Sequence, residues 1–280
     1  MYYEHNCTSC GAEKSELQLN LKSKFTQLLK SVEKAFRKLH DNGKYDLNDL
    51  VDVKEFNDVI QDTAVIFNTA IYNVELPEHL LKRFKQDVFL FSGLKTHSQL
   101  LEASKLLFTK NNVFKSFELF SKDSAKLKKD YNENYLEAEH DYAVGTMQRV
   151  ERWENFSDSD EYYLQYRTAN DDKVRASHAL LHNITLPKNS PFWDKYATKN
   201  GWRCRCTEVE VLATNNIISK LSEAMKKGEK ATTQLGKNGE NKLNIFRYNP
   251  AKQKIIFPPK HPYHKINGAN KVKKILKNEN

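Results

Sequence analysis

The sequence predicts an α+β protein, with a predominantly helical N-terminal region followed by a smaller α+β domain that contains a short antiparallel sheet. Apolar residues recur every three or four positions from Ser15 to about residue 154, which is the period of amphipathic helices. After a polar break at 157–161, segments rich in tyrosine, threonine and valine indicate strands. Only nine glycines and seven prolines occur in 280 residues, which favours long regular elements over a loop-rich fold.

Helices are predicted through most of the first half. The first begins at Ser15 and ends at the Asn42-Gly43 stop signal, and the second begins near residue 56 and ends before Pro77. Helical stretches with the same apolar period follow at about 78–91, 96–109 and 122–154.

The second half mixes short elements. Strands are expected at 162–169 and 202–212, a short helix at 171–183 and a longer helix at 215–229. A loop with two prolines at 185–196 and a linker or mobile loop at 231–242 connect them. The segment 243–257 is predicted to form a hairpin about Asn249-Pro250.

The change from a helical apolar period to short mixed elements predicts a domain boundary near residue 155. We expect four parts: an irregular leader with a Cys-x-x-Cys pair at 1–14, a helical region at 15–155, an α+β domain at 156–259 and a basic tail at 260–280. A chain of this length can bury a sizeable core.

The formal net charge of +9 favours an acidic partner, usually nucleic acid. A generally lysine-rich surface explains the charge equally well, because most lysines are interleaved with aspartate and glutamate. The tail is the exception, since its lysines face a single acidic residue, Glu279. The residues that we predict to contact nucleic acid are Lys271, Lys273, Lys274 and Lys277.

Several classes of protein are disfavoured by the sequence. The longest apolar runs, such as 88–91, are far shorter than the roughly 18 residues that a membrane span needs. The first fourteen residues lack the apolar stretch of a secretory signal. With four cysteines in such a chain, we expect a reducing compartment and free thiols or a metal, not a disulfide scaffold.

Two pairs of residues suggest a metal site. Cys204 and Cys206 would share one face of the predicted strand, and His178 and His182, four residues apart, would share one face of the predicted helix. Two nitrogen and two sulfur ligands suit a tetrahedral zinc ion. The sequence therefore predicts zinc as the cofactor, if these two elements meet.

Other roles for the cysteines remain open. Cys7 and Cys10 are a second pair with ligand spacing, so a site with four cysteine ligands is also available. Cys204 and Cys206 could instead be small buried apolar residues on a core strand. A cysteine nucleophile with His178 as its base is a third alternative, although nothing in the sequence shows that the two meet.

Basic residues cluster in the same segment. Arg167, Arg175, Arg203 and Arg205 would form an anion site if they converged with His178, because guanidinium groups match phosphate and carboxylate geometry. The alternative, which we favour, is that the arginines form ion pairs with nearby acidic residues, namely Asp171, Asp172 and Glu208. Trp193 and Trp202 bracket the loop between the predicted helix and strand, and we expect them to be packing anchors.

Taken together, residues 166–211 resemble the signature of the phage Mu F-like minor head proteins, also called head morphogenesis proteins. The matching residues are Arg167-Thr168, Asp172, Arg175, His178, Pro187, Phe192-Trp193, Asn200-Gly201-Trp202 and Cys204-Arg205-Cys206. The domain at 156–259 would then be the Mu F-like domain. One departure is Leu181-His182-Asn183, where the family usually has Leu-Asp-Gly. The missing aspartate weakens an enzymatic interpretation and leaves a structural or zinc-binding one intact.

The resemblance implies a low-copy structural component of the virion, inside the capsid near the portal. Such a protein would aid head assembly, with DNA packaging or ejection as further roles. Its implied partners are portal and capsid or scaffold proteins and packaged double-stranded DNA, without a membrane. The implied location is the capsid interior, and the host cytoplasm during assembly. We expect no enzyme and assign no catalytic residue. The alternative is an enzyme or toxin directed at nucleic acid or a nucleotide, delivered with phage DNA and using Arg167, Arg175 and His178.

Overall fold

The computed structural model describes residues 8–278, and describes side chains for 20–277. The helices of the first half are α1 (Thr8–Asn42), α2 (Asp49–Asp52), α3 (Lys54–Asn68), α4 (Glu78–Ser104), α5 (Phe117–Lys129) and α6 (Leu136–Asn155). Helix α1 begins before the predicted start at Ser15. Cys7 and the side chain of Cys10 lie outside the described residues, as does the four-cysteine site built on them.

Helix α4 is the central element of the helical region. Its residues from Phe91 to Leu100 are all buried, and it contacts α1, α3 and α5. The predicted interruption between 91 and 96 is wrong, because Ser92 and Gly93 continue the helix. Gly93 is needed for packing: a β-carbon there would lie 2.2 Å from Cδ1 of Leu276. Gly93, which is a residue typical of helix breaks, therefore marks a close contact between α4 and Leu276 near the C-terminus.

Helices α5 and α6 replace the single helix that was predicted at 122–154. Helix α5 begins at Ser116, whose side chain accepts a hydrogen bond from the backbone N–H of Leu119. A π-helical segment at Asp130–Tyr135 joins α5 to α6 without a loop. The apolar period does not distinguish α-helix from one turn of π-helix, so the sequence could not show this change.

A three-stranded antiparallel sheet follows the helical region, as the fold class predicted. The strands are β1 (Tyr162–Arg167), β2 (Thr185–Leu186) and β3 (Thr207–Leu212), in the order β2-β1-β3. Between and after them lie α7 (Ala176–Ala179), α8 (Pro191–Tyr196), α9 (Leu221–Ala231), α10 (Pro250–Gln253) and α11 (Ala269–Asn278). Both Leu164 and Tyr166 of β1 are buried in the core.

Several predictions about the second half are wrong. The loop expected at 185–196 contains β2 and α8, and the helix expected at 171–183 is limited to α7. Cys204 and Cys206 do not lie in a strand, since β3 begins only at Thr207. The hairpin about Asn249-Pro250 is also absent from the described structure, and α10 begins there. The side chain of Asn249 accepts hydrogen bonds from Ala251 N and Lys252 N, and Pro250 takes the first helical position. An Asn-Pro pair can begin a helix as readily as it can form a turn. Here the hydrogen bonds accepted by the Asn249 side chain favour the helix start.

The buried side chains on both sides of residue 155 belong to one hydrophobic cluster. Ring contacts extend it: Phe91 of α4 stacks on Phe257, with centroids 3.7 Å apart. Within the described part of the chain, no helix is long and apolar enough to cross a membrane.

The basic tail contains a docked amphipathic helix, α11. Its apolar residues Val272 and Leu276 are buried against α4, while Lys271, Lys274 and Lys277 are exposed. The lysines therefore form a basic face on a fixed helix.

Replacing Leu276 with alanine is expected to lower the free energy of unfolding by about 2–4 kcal/mol, because a buried leucine side chain is lost and a cavity remains. Urea denaturation followed by circular dichroism measures this change. Lys277→Ala is the matched control, since it alters a neighbouring exposed position of the same helix. Equal stability of the two variants would contradict the docking of α11 on α4.

Candidate metal centre

Three residues from two chain segments meet beside the sheet. Helix α7 positions His178, whose backbone N–H donates to Arg175 O at 2.8 Å. The second segment is a turn in which Cys204 N donates to Gly201 O at 3.2 Å, and Arg203 takes a left-handed backbone conformation with φ of 58°. This turn directs Cys204 and Cys206 toward the histidine.

The spacing of the three side chains fits a tetrahedral metal ion. Nδ1 of His178 lies 3.6 Å from Sγ of Cys204 and 3.7 Å from Sγ of Cys206. Zinc bonds of about 2.3 Å to sulfur and about 2.05 Å to nitrogen, at a tetrahedral angle, imply a sulfur–nitrogen distance of about 3.5 Å. The ligand atoms all lie within 4.8 Å of one another. The cluster can therefore hold a metal ion with little rearrangement.

Burial and mutual contact set the protonation of the two thiols. A hydrogen bond from Cys206 lowers the pKa of Cys204 well below its ordinary value, against the opposing effect of burial and with further help from His178. The same contact with Cys204, together with burial, raises the pKa of Cys206. Two adjacent buried thiols thus favour one shared negative charge. A divalent cation would favour loss of both protons, because thiolates are its ligands.

Three further residues support the sulfur ligands. The hydroxyl of Tyr166 hydrogen-bonds to Cys206, and Asn200 Nδ2 donates to this hydroxyl at 3.3 Å. Nζ of Lys199 donates to the carbonyl oxygen of Cys204 at 3.0 Å. Contacts of this kind hold metal ligands in place. On the imidazole, Nε2 is buried and has no hydrogen-bond partner within residues 20–277.

A pocket of about 340 Å³ opens onto the cluster from outside. Its wall includes all three candidate ligands together with four basic residues, Lys173, Arg175, Arg203 and Arg205. The arginines that the sequence analysis grouped with His178 therefore converge in part, although Arg167 does not line this pocket.

Most of these basic side chains have identified partners. Arg205 forms two hydrogen bonds to the Asp171 carboxylate, both 2.6 Å long, as the ion-pair alternative anticipated. Arg203 lies 3.3 Å from Glu137 of α6. Arg175 Nη2 donates to the carbonyl oxygen of Trp202 at 2.7 Å. Each arginine thus helps to hold the turn that carries the cysteines.

Two residues proposed for the site lie elsewhere. His182 does not join the cluster: its Nδ1 accepts hydrogen bonds from the backbone N–H of Thr168 at 3.2 Å and interacts with the hydroxyl of the same residue at 2.9 Å. Helix α7 ends at Ala179, so His178 and His182 do not share a regular helix face. Arg167 is exposed at the end of β1. The four-ligand site with His182 is therefore not the arrangement observed.

The tryptophans hold the segments around the cluster. Trp193 is fully buried, and its Nε1 donates to Pro187 O at 3.1 Å, which fixes the loop before α8. Trp202 contacts the rings of Tyr142 and Phe246, each with centroids 5.1 Å away. The turn with the cysteines is thus attached to α6 and to the segment before α10.

An ion pair that the sequence analysis did not foresee lies directly behind the site. Arg149 of α6 donates from Nε to Glu208 of β3 at 2.8 Å, and both side chains are 1 % exposed. Thr198 donates to the same carboxylate from its N–H at 2.8 Å and its hydroxyl at 2.6 Å. Glu208 was expected to pair with nearby arginines, whereas its partner Arg149 is 59 residues away. No local pattern identifies such a contact.

Known proteins resemble the part of the chain that contains this centre. Residues 116–209 match the family described as Phage Mu protein F like protein. The chain is 41% identical over 44 residues to the putative capsid assembly protein F of Escherichia phage Mu, covering 16% of this chain and 10% of that protein. It is 36% identical over 58 residues to the Mu-like prophage FluMu F protein of Haemophilus influenzae, covering 21% and 14%.

The chain thus matches only 10% and 14% of the lengths of these two relatives. No solved structure matches it. The family match begins at Ser116, which caps α5, and ends within β3. It therefore includes His178, Cys204 and Cys206. The resemblance seen in the sequence is confirmed, since residues 116–209 match the Mu F-like family and both relatives carry that name or the name of its phage Mu member.

Proposed function

We propose that this chain is a phage head protein that acts in capsid assembly. The observation that carries the proposal is the match of residues 116–209 to the Mu F-like family, together with a relative named as a putative capsid assembly protein. The matched segment contains the candidate metal centre, so the part shared with the family includes this buried cluster. The proposed role is structural and not enzymatic.

The finer proposal is a low-copy component inside the capsid, near the portal. Its partners would be portal and capsid or scaffold proteins, in the host cytoplasm during assembly and in the virion afterwards. The family resemblance supports this location, and the long helices α1, α4 and α5–α6 supply extended surface for protein contacts.

Mass spectrometry of purified heads, taken before and after DNA packaging, tests the proposal. A few copies of the chain per particle at both stages are expected. Presence before packaging and loss afterwards would reassign the chain to a transient assembly factor. Absence from every particle would overturn the head-protein proposal.

Zinc is the metal that we propose for the His178–Cys204–Cys206 cluster. Two thiolates and one imidazole are a ligand set that zinc prefers, and the observed sulfur–nitrogen distances suit it. The ion would add a further link between α7 and the turn at 201–206, beside the hydrogen bond from Arg175 to the Trp202 carbonyl oxygen. Its proposed role is therefore to stabilise the Mu F-like segment.

The basic face of α11 supports packaged double-stranded DNA as a further proposed partner. The four lysines of this face are Lys271, Lys273, Lys274 and Lys277. A chain with all four replaced by glutamine is expected to bind double-stranded DNA at least about tenfold more weakly. The slope of the logarithm of the binding constant against the logarithm of the salt concentration is expected to be smaller in magnitude by about three. A fluorescence-anisotropy titration at several salt concentrations measures both effects.

The matched control replaces four exposed lysines outside α11, namely Lys226, Lys227, Lys230 and Lys237. These changes remove the same total charge, so an equal loss of affinity would show that net charge alone attracts the DNA. That result would contradict a specific role for α11.

A second candidate function is an enzyme directed at nucleic acid or a nucleotide. The pocket that contains both Arg175 and His178 favours it. His178 itself disfavours it, because this residue is 1 % exposed and its Nδ1 faces two cysteines. Nuclease and nucleotide-transfer assays of the metal-loaded chain test this candidate, and activity that disappears in Arg175→Gln would establish it over the structural role.

A further inference from the structure

The candidate metal centre has three protein ligands within the described residues, and zinc is usually bound by four groups. His182, which could have been the fourth, is bonded to Thr168. Structural zinc sites are closed by four protein ligands, whereas sites with three keep one position for water or another ligand. The number of ligands here therefore raises the question of what occupies the fourth position.

The pocket gives that position access to solvent. It touches His178, Cys204 and Cys206 at its base, and its volume of about 340 Å³ is sufficient for a small ligand. The metal would lie between the base of the pocket and the three ligands, because all three ligand atoms face one another there. A small molecule that entered the pocket would reach the ion directly.

The charge of the site favours an anion. A divalent ion with two thiolates and a neutral imidazole has no net charge, so the pocket charge is set by the residues of its wall. Asp171 and Glu137 neutralise Arg205 and Arg203. Within residues 20–277, Arg175 forms no ion pair; one of its nitrogens binds the Trp202 carbonyl, and its other N–H groups remain for a ligand. Lys173 adds a second positive charge.

The positions of Arg175 and the metal suit one class of ligand. Arg175 lines the same pocket as the three ligands, and its guanidinium lies 3.4–3.7 Å from the position that a Gly201 β-carbon would take. A phosphate group offers one oxygen to the metal and others to the arginine, which a monatomic anion such as chloride cannot do.

We propose that the metal of the His178–Cys204–Cys206 centre keeps its fourth coordination position for a phosphate group, which enters the pocket and is held by Arg175. This inference rests on the proposed metal centre and is independent of the proposed role in the phage head. The phosphate is either a free ion or the terminal phosphate of a nucleic acid strand, since both present the same oxygens to the site.

Cobalt substitution of the full chain tests the proposal. Cobalt(II) replaces zinc in such sites, and its visible absorption bands change when one of its ligands changes. Addition of inorganic phosphate is expected to shift these bands in a saturable way and to broaden the phosphorus resonance of phosphate. Chloride at the same ionic strength is expected to leave the bands unchanged.

Variants assign the effect to the pocket. Arg175→Gln is expected to weaken phosphate binding about tenfold or more, and the affinity is compared per bound cobalt ion, because Arg175 also helps to hold the turn that carries the cysteines. Lys226→Gln, at an exposed position outside the pocket, is the matched control and should not change the affinity. Circular dichroism verifies that Arg175→Gln is folded. Arg175→Lys keeps the positive charge but cannot donate two parallel hydrogen bonds, so it should bind phosphate with intermediate affinity.

Two oligonucleotides of the same sequence, one with a 5′-phosphate and one with a 5′-hydroxyl, distinguish the sources. A spectral shift with the phosphorylated strand alone identifies a strand end as a ligand, whereas a shift with free phosphate but neither strand restricts the site to small ions. Both outcomes support the phosphate position.

Three outcomes overturn the proposal. If a chain with one bound cobalt ion showed no change in its absorption bands when phosphate was added, the fourth position would be closed to phosphate. A spectrum that changes when Cys7 and Cys10 are both replaced by serine would assign that position to the N-terminal segment. A chain that binds no cobalt or zinc would remove the metal centre itself, and the head-protein proposal would still be tested separately by the composition of purified heads.

Discussion

The Glu208→Gln variant is expected to have a free energy of unfolding about 3–5 kcal/mol lower than that of the unaltered chain, because it leaves the buried Arg149 guanidinium without a counter-charge. Arg149 is held by Glu208 and by Asn249 Oδ1, at 3.1 Å, and both acidic and basic side chains are 1 % exposed. Urea denaturation at neutral pH measures the difference. Glu223→Gln on the exposed surface of α9 is the control and should change the free energy of unfolding by less than about 0.5 kcal/mol.

A double substitution separates the ion pair from the fold around it. Replacing Arg149 with methionine and Glu208 with leucine is expected to restore much of the lost stability, since a buried pair can often be exchanged for apolar residues of similar size. If Glu208→Gln were as stable as the unaltered chain, α6 and β3 could not be joined by a fully buried ion pair.

The same carboxylate gives the protein a pH dependence with a defined sign. Burial opposes ionisation of Glu208, but Arg149 and the two donors of Thr198 together lower its pKa below the ordinary value. A depressed pKa stabilises the fold above the ordinary pKa of glutamate, and that stability is lost as the pH falls through the folded-state value. Stability measured from neutral to acidic pH should therefore fall less steeply in Glu208→Gln than in the unaltered chain.

The Cys204→Ser variant is expected to lose the proposed zinc ion and on the order of 4 kcal/mol of stability, because a hydroxyl is a poorer zinc ligand than a thiolate and the ion would no longer link α7 to the turn at 201–206. Metal content measured by mass spectrometry should fall from one ion per chain to near zero. A chelator should lower the melting temperature of the unaltered chain and leave that of Cys204→Ser unchanged.

His182→Ala is the matched control for the metal centre. The sequence analysis counted His182 as a ligand, whereas the structure bonds it to Thr168. The variant should therefore keep its full metal content. Loss of metal from His182→Ala, or a fully stable and metal-loaded Cys204→Ser, would contradict the centre described here.

The sequence by itself determined the fold class and included all three candidate ligands, His178, Cys204 and Cys206, in a larger predicted set. The apolar period of the first half is a local property, so helices α1 and α3 followed from it, and so did the helical character of α4 although not its continuity. The Cys-x-Cys pair was recognisable as a ligand pair in the sequence, although Cys204 and Cys206 precede β3 and a turn directs them toward His178. The family resemblance was also recognisable, since all of its motif residues lie within one segment of the sequence, 166–211.

Tertiary structure decided what no short segment contains. Whether His178 or His182 faces the cysteines depends on where α7 ends, and the backbone and side chain of Thr168 hold His182 away from them. The partner of Glu208 comes from a helix 59 residues earlier, because burial of a carboxylate requires a cation that is equally buried. The break at Ser92-Gly93 became a helix contact for a similar reason: Leu276 packs against the glycine, and only the folded chain brings them together.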